Sequence, residues 1–253
     1  MSVTDELTLT GGVRWEDYDT FGDEVTWRGA AAYYIEETGT KFRASVGRGF
    51  RPPSFIEIFG FGGQSNFDLD PEESIGWDVG VDQVFADGKY TLGVTYFENR
   101  IKDAIVTAFG PAPDFASVTS NESGTSITRG VEFQAQAKWL DDRIRANFNY
   151  TWLDESLSDQ PEHTAGLRFD ASINEKLDAG ISANYLDSRS FGANNLDSYI
   201  LVNLHASYKL SPSLTLNARV ENLTNETYEF FNGFGSTFPG RGTGFFGGLT
   251  YEW

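Results

Sequence analysis

Two-residue periodicity is the feature of this sequence that most limits what it can fold into. In about twelve segments, near 5–16, 25–36, 41–50, 73–85, 89–105, 126–139, 142–153, 163–173, 177–187, 197–209, 213–223 and 242–253, one parity is mainly apolar and the other mainly polar or small. Ile144, Ala146, Phe148, Tyr150 and Trp152 alternate with Arg143, Arg145, Asn147, Asn149 and Thr151. The same holds from Leu177 to Tyr185 and from Val131 to Trp139. On a helix these residues would scatter round the axis, whereas on a strand each set occupies one face. The spacing predicts strands throughout and no helix.

Alternation alone fits any antiparallel sheet with one wet face, a soluble sandwich included. Connection lengths separate the two. Short turns at Glu37-Thr38-Gly39, Ala86-Asp87-Gly88, Leu140-Asp141, Asn174-Glu175-Lys176 and Ser211-Pro212 alternate with long loops at 51–72, 106–125, 154–162, 188–196 and 224–241. All the short turns therefore lie at one end. Outer-membrane barrels show this asymmetry, with short periplasmic turns, longer extracellular loops and an apolar band toward lipid. Lipid also requires closure, because an open edge leaves N–H and C=O groups unpaired in hydrocarbon. Trp15, Trp27, Trp77, Trp139, Trp152, Tyr185, Tyr208 and Trp253 fall near strand ends, where interfacial aromatic girdles sit. The expectation is an all-β chain: an antiparallel transmembrane β-barrel of about twelve strands, one domain over 1–253, in a bacterial outer membrane with both termini periplasmic.

Composition agrees with that reading. Aromatic residues make up 15%, yet mean hydropathy is −0.36, and the longest apolar run, 30–35, falls far short of the ~20 residues of a membrane-spanning helix. A formal net charge of −18 opposes binding to nucleic acid. Zero cysteines exclude disulfides, thiolate zinc sites and cysteine nucleophiles. The chain opens onto a strand with no charged segment followed by an apolar one, so a leader has been removed or the sequence begins within a longer protein.

The stretch 41–85, KFRASVGRGFRPPSFIEIFGFGGQSNFDLDPEESIGWDVGVDQVF, resembles the TonB-dependent outer-membrane receptors. In that family a strand of the form FRASxGxGFRxPSF, here Phe42 to Phe55, enters an extracellular loop. An N-x-x-L-x-PE-x-S segment, here Asn66 to Ser74, opens the next strand. TRGVEF at 128–133, VENLTNETYE at 220–229 and PGRGTGFFGGLTYEW at 239–253 are similar to the family's last strands. The resemblance covers the chain as the C-terminal half of a receptor and is nearest the cobalamin and siderophore branch. It implies a barrel derived from a transporter for a scarce ligand, cobalamin or a ferric siderophore. Active transport is not expected of this chain alone, since the plug and TonB box of a full-length parent have no counterpart in it. The alternative expectation is a self-standing twelve-stranded outer-membrane pore or binding barrel.

Ligand contacts are expected in the long loops, at Phe59, Phe61, Asn66, Phe67, Phe109, Phe115, Phe231 and Phe234, because exposed aromatic residues suit a large, partly apolar ligand. Arg51-Pro52-Pro53 withdraws two N–H donors and ends strand pairing. Asp68, Asp70, Glu72 and Glu73 lack calcium-loop spacing and read as solvated charge, so no metal is expected. His205 falls on the polar parity and His163 near a loop end. A serine hydrolase would need Ser, His and an orienting group at one level, which nothing in the spacing demands, and neither catalysis nor a cofactor is expected. Arg129, Arg143, Arg145, Arg168 and Arg219 are expected to pair with acids such as Glu132, Asp170 and Glu221 across the inner wall.

The final strand ends on Trp253, with Phe245, Leu249 and Tyr251 on the same parity. Resemblance to outer-membrane barrels implies that these four residues form the signal read by the barrel-assembly machinery. The remaining partners expected are outer-membrane lipid, the plug and TonB in a full-length parent, and a second copy should the barrel edges stay open.

Overall fold

The computed structural model describes residues 4–19, 21–60, 65–109, 117–155, 160–191, 194–231 and 236–253. Twelve long strands carry the fold, and each falls on one of the periodic segments. They are β1 (Leu7–Tyr18), β2 (Gly22–Ile35), β3 (Thr40–Arg51), β4 (Glu72–Phe85), β5 (Tyr90–Lys102), β8 (Thr125–Trp139), β9 (Ile144–Glu155), β10 (His163–Ser172), β11 (Leu177–Leu186), β14 (Tyr199–Ser211), β15 (Leu214–Glu221) and β18 (Gly244–Tyr251). They form one sheet in that same sequence order, an antiparallel meander. Three small hairpins sit inside the long connections: β6 (Ile105–Phe109) with β7 (Ser117–Asn121), β12 (Arg189–Phe191) with β13 (Asn194–Leu196), and β16 (Glu229–Phe231) with β17 (Thr237–Pro239). The expectation of no helix is corrected by a single turn, α1 (Phe55–Phe59).

The chain divides into two compact units, one of Met1–Glu36, Lys41–Gly80 and Tyr96–Arg129, the other of Glu37–Thr40, Val81–Thr95 and Gly130–Trp253. In the first, β1 pairs with β2 so that Val13 faces Trp27 and Trp15 faces Val25, while Arg14 faces Thr26 on the opposite side. Glu16 stands directly across from Glu24, an unfavourable pairing of like charges. It is relieved by Arg14, 2.6 Å from Glu16, and by Arg48, 3.1 Å from Glu24.

In the second unit the registers of five successive strand pairs carry an unbroken apolar row: Ala146, Phe169, Ile181, Leu204, Val220 and Phe245. One residue along, on the other face, runs Arg145, Asp170, Gly180, His205, Arg219 and Phe246.

Burial is inverted relative to a water-soluble sheet. Val13 is 77% exposed, Phe245 78% and Leu249 67%, whereas the buried apolar side chains among the described residues are Leu69 and Leu196, both within the long connections. Thr95 and Glu98, within β5, are buried instead. A sandwich would bury the apolar parity against a second sheet. Here that parity needs an apolar solvent, which a bilayer supplies.

The short turns show why one end of the sheet is tight. Ala86, Asp87 and Gly88 have φ of 49°, 55° and 85°, and Leu140, Asp141 and Asp142 have φ of 53°, 54° and 63°. Successive positive φ values match the right-handed twist of a tight hairpin. Gly39 also has positive φ, and a Cβ there would lie 2.7 Å from the Val84 carbonyl oxygen, so the turn after β2 accepts only glycine. At the opposite end most connections are long, but β1 and β2 are joined by 19–21 alone.

Candidate functional site

The loop that follows β3 is fastened at its root by one arginine. Pro52 and Pro53 stop the ladder, and Ser54 begins α1 with Glu57 three residues on. Glu57 Oε2 accepts hydrogen bonds from the Ser54 backbone N–H and hydroxyl, both at 2.7 Å. Arg51 Nη1 reaches both Glu57 oxygens at 3.0–3.1 Å, and Arg51 Nε donates to Glu72 Oε2 at 2.6 Å. The other Glu72 oxygen accepts from the Ile105 N–H at 2.7 Å. One guanidinium fork thus ties the end of β3, the helix, the start of β4 and the root of the β6–β7 hairpin. Partial burial pushes the Glu57 carboxyl up, but hydrogen bonds from Arg51 and Ser54 outweigh it and hold it below its ordinary value.

The segment Asn66–Asp70 is fixed against the same hairpin. Asn66 Nδ2 donates to the Thr119 carbonyl at 2.9 Å and Asn66 Oδ1 accepts from the Asp68 N–H at 3.0 Å. Asn121 accepts from the Asp70 N–H and donates to the Asp70 and Asp103 carbonyls. Leu69 lies buried beneath. The Asn66 amide is therefore committed to positioning the loop.

That frame presents an aromatic surface. Phe55 stacks on Phe59 with ring centroids 6.3 Å apart, and Phe59 meets Phe67 edge-on at 5.6 Å. The three rings are 83%, 53% and 69% exposed, geometry suited to an apolar or aromatic guest. Of the expected contact residues, the first unit thus brings together Phe59 and Phe67 with Asn66 behind them. Phe109 closes the β6–β7 register opposite Ser117. Phe61, Phe115 and Phe234 lie outside the described residues.

In the second unit, Phe231 pairs in register with Thr237, and the Arg189 guanidinium lies 6.0 Å from its ring centroid. Beside it, Phe230 and Phe238 are 6.2 Å apart, and Tyr199 packs on Tyr228 at 4.8 Å. Sequence reasoning passed over Phe55, Tyr199, Tyr228 and Phe238. The Ser54-x-x-Glu57 spacing, a capping-box signature, was the signal for α1 and hence for Phe55.

His205 Nε2 lies 2.9 Å from Asp170 Oδ1, and Arg168 binds the same carboxylate at 2.7 and 2.9 Å. The side chain next to His163 Nδ1 is the Tyr150 hydroxyl at 2.8 Å. Among the described residues no serine hydroxyl is hydrogen-bonded to either histidine. Glu72 is paired with Arg51, and Glu73 with Arg48 at 3.0 Å. On β18, Phe245, Leu249 and Tyr251 face Val220, Leu216 and Leu214. Trp253 lies two residues past the strand and is fully exposed.

A twelve-stranded meander that exposes its apolar parity and joins alternate strands by tight turns has the pattern of an outer-membrane β-barrel wall. Residues 1–223 match the family model described as TonB dependent receptor-like, beta-barrel, and the chain belongs to that family. It is 29% identical over 268 residues to the vitamin B12 transporter BtuB of Vibrio vulnificus (strain CMCP6), covering 98% of this chain and 40% of that protein. The BtuB of Photobacterium profundum is 27% identical over 236 residues, 86% of this chain and 37% of that one. Among solved structures, a ferric enterobactin receptor of Pseudomonas aeruginosa aligns with a TM-score of 0.81 at 20% identity, over 98% of this chain and 43% of the receptor. The copper transporter OprC aligns at 0.80 and 14% identity, over 98% and 46%. The chain thus spans about 40% of the length of the curated relatives it matches.

Proposed function

We propose that this chain forms wall and ligand-gripping loops of an outer-membrane uptake receptor for a bulky, scarce ligand of the cobalamin class, as a single barrel domain over 1–253 with its short turns and both termini periplasmic. The exposed Phe55–Phe59–Phe67 cluster on a loop held rigid by Arg51 carries the reading. Its rings offer apolar area at little entropic cost. Charge supports a neutral ligand over an anionic ferric chelate: connections 52–71, 103–124, 156–162, 187–198 and 222–243 carry twelve Asp or Glu against two Arg and no Lys. The name shared by the relatives points the same way. Energy coupling belongs to the plug and TonB of the longer receptor, and this wall does no catalysis.

Calorimetry on the chain folded in detergent tests the proposal. Cobalamin is expected to bind more tightly than a negatively charged ferric catecholate, and the double substitution Phe59→Ala, Phe67→Ala is expected to weaken cobalamin binding. A reversed preference, or equal affinity of the variant, would overturn it.

A further inference from the structure

A cavity of about 420 Å³ opens on the polar face of the second unit beside the turns at 140–143 and 173–176. Its walls come from the turn-proximal ends of β8, β9, β10 and β11 with His205 of β14, and no Phe, Tyr or Trp among the described residues lines it. Four cations line it, Lys138, Arg143, Arg145 and Arg168, against two carboxylates, Asp170 and Asp178. This is an excess of positive charge in a chain whose net charge is −18.

Of the four cations, the carboxylates pair with Arg168 alone among the described residues. Asp170 stands directly across the β9–β10 ladder from Arg145, but its oxygens are taken by Arg168 at 2.7 and 2.9 Å and by His205 at 2.9 Å. Asp178 accepts from the Ser172 hydroxyl at 2.6 Å. Among the described residues the Arg143 guanidinium donates to the uncharged carbonyls of Ser172 and Ile173. The Arg145 guanidinium and the Lys138 ammonium have no hydrogen-bond or ion-pair partner among the described residues.

Gly180 is part of the arrangement. It sits between Asp170 and His205 in the register, and a Cβ there would collide with the His205 ring at Cε1. Only glycine lets the imidazole lie across β11 to occupy Asp170, which frees Arg145.

We propose that this cavity binds a compact multivalent oxyanion of the phosphate or polycarboxylate class. Arg145 supplies a planar fork for two oxygens, Lys138 a point charge, and Arg143 further positive potential. The volume suits a small molecule, and the concave polar wall concentrates the field of the unpaired cations. The proposal does not depend on which ligand the loops bind.

The test is calorimetric titration of the detergent-folded chain with inorganic phosphate and with citrate. Saturable binding that weakens with added sodium chloride is expected, and the double substitution Lys138→Gln, Arg145→Gln should lower affinity by about tenfold or more. Neither side chain holds the wall together, so heat-modifiable migration should stay as in the parent, which separates lost binding from lost folding. Lys41→Gln, on β3 of the first unit, should leave binding unchanged. No binding at millimolar anion, or equal affinity in the double variant, would overturn the proposal. So would an acidic peptide that displaces both anions at lower concentration through the same two residues, which would make the cavity a protein-docking surface.

Discussion

Removing the Arg51 side chain strands two carboxylates that are less than a fifth exposed, Glu57 and Glu72. Arg51→Ala should therefore free α1 and the β6–β7 root while leaving the strand ladders intact. Hydrogen exchange would show this as lost amide protection at Glu57, Ile58, Gly60 and Ile105, with the long-strand amides unchanged. Arg51→Lys should not restore protection, because an ammonium cannot present a fork to two acids. The Glu57 carboxyl is held below its ordinary 4.5 in the folded protein, so its contribution is fully present above that value and is lost as pH falls through the depressed one. Exchange at α1 should accordingly rise as pH is lowered beneath the ordinary carboxylate range, and Glu57→Gln should flatten that dependence. Gly180→Ala makes a second residue-scale case. The new methyl would meet His205 and, at 2.7 Å, the Phe169 carbonyl oxygen; backbone cannot retreat, and a loss of about 1–3 kcal/mol is expected in denaturant unfolding. The two sites differ in legibility. Ser54 and Glu57 are three residues apart, and their spacing is visible in the sequence. Gly180, Asp170 and His205 meet only once the registers of β10, β11 and β14 are set, which no local pattern specifies.

At the scale of elements, all twelve long strands were legible because each is long enough for alternation to repeat four or more times. The loop hairpins were not. β12, β13, β16 and β17 are three residues each, too short for a period to declare itself, and their turns are set by loop packing. The turn at Leu140–Asp142 holds three non-glycine residues at positive φ, so it lacks the Asn-Gly signal that marks a tight hairpin. Alternation carries the last strand to its terminal residue, but the ladder stops short of it. The Glu252 N–H still donates to the Ser213 carbonyl at 2.9 Å, whereas Trp253 stands beyond, fully exposed. Deleting Trp253 should thus leave detergent-refolded protein about as stable as the parent. If the chain end is read during assembly, outer-membrane yield in cells should fall sharply on the same deletion. Equal yields would make Trp253 an ordinary interfacial residue.

For the molecule as a whole, the inverted burial sets the solvent. Expressed behind a signal peptide, the chain should fractionate with outer membranes and migrate in a heat-modifiable way. A monodisperse detergent-free monomer would be incompatible with that prediction. Ile181 lies mid-strand on the apolar row, and Ile181→Arg should cost about 2–4 kcal/mol in lipid, the depth-dependent penalty for a cation near the bilayer midplane. The same change at Ser182, one position along and on the polar face, should cost far less.

The three loop hairpins carry a further consequence. Each closes a two-stranded sheet of its own and takes no place in the twelve-strand order. Their sequences can drift, lengthen or be replaced without shifting the register of any wall strand, since loop length adds little to closure entropy. A lineage could thus exchange short, self-paired cassettes without rebuilding the wall, provided a replacement for the β6–β7 hairpin keeps a backbone donor for Glu72 and a carbonyl for Asn66.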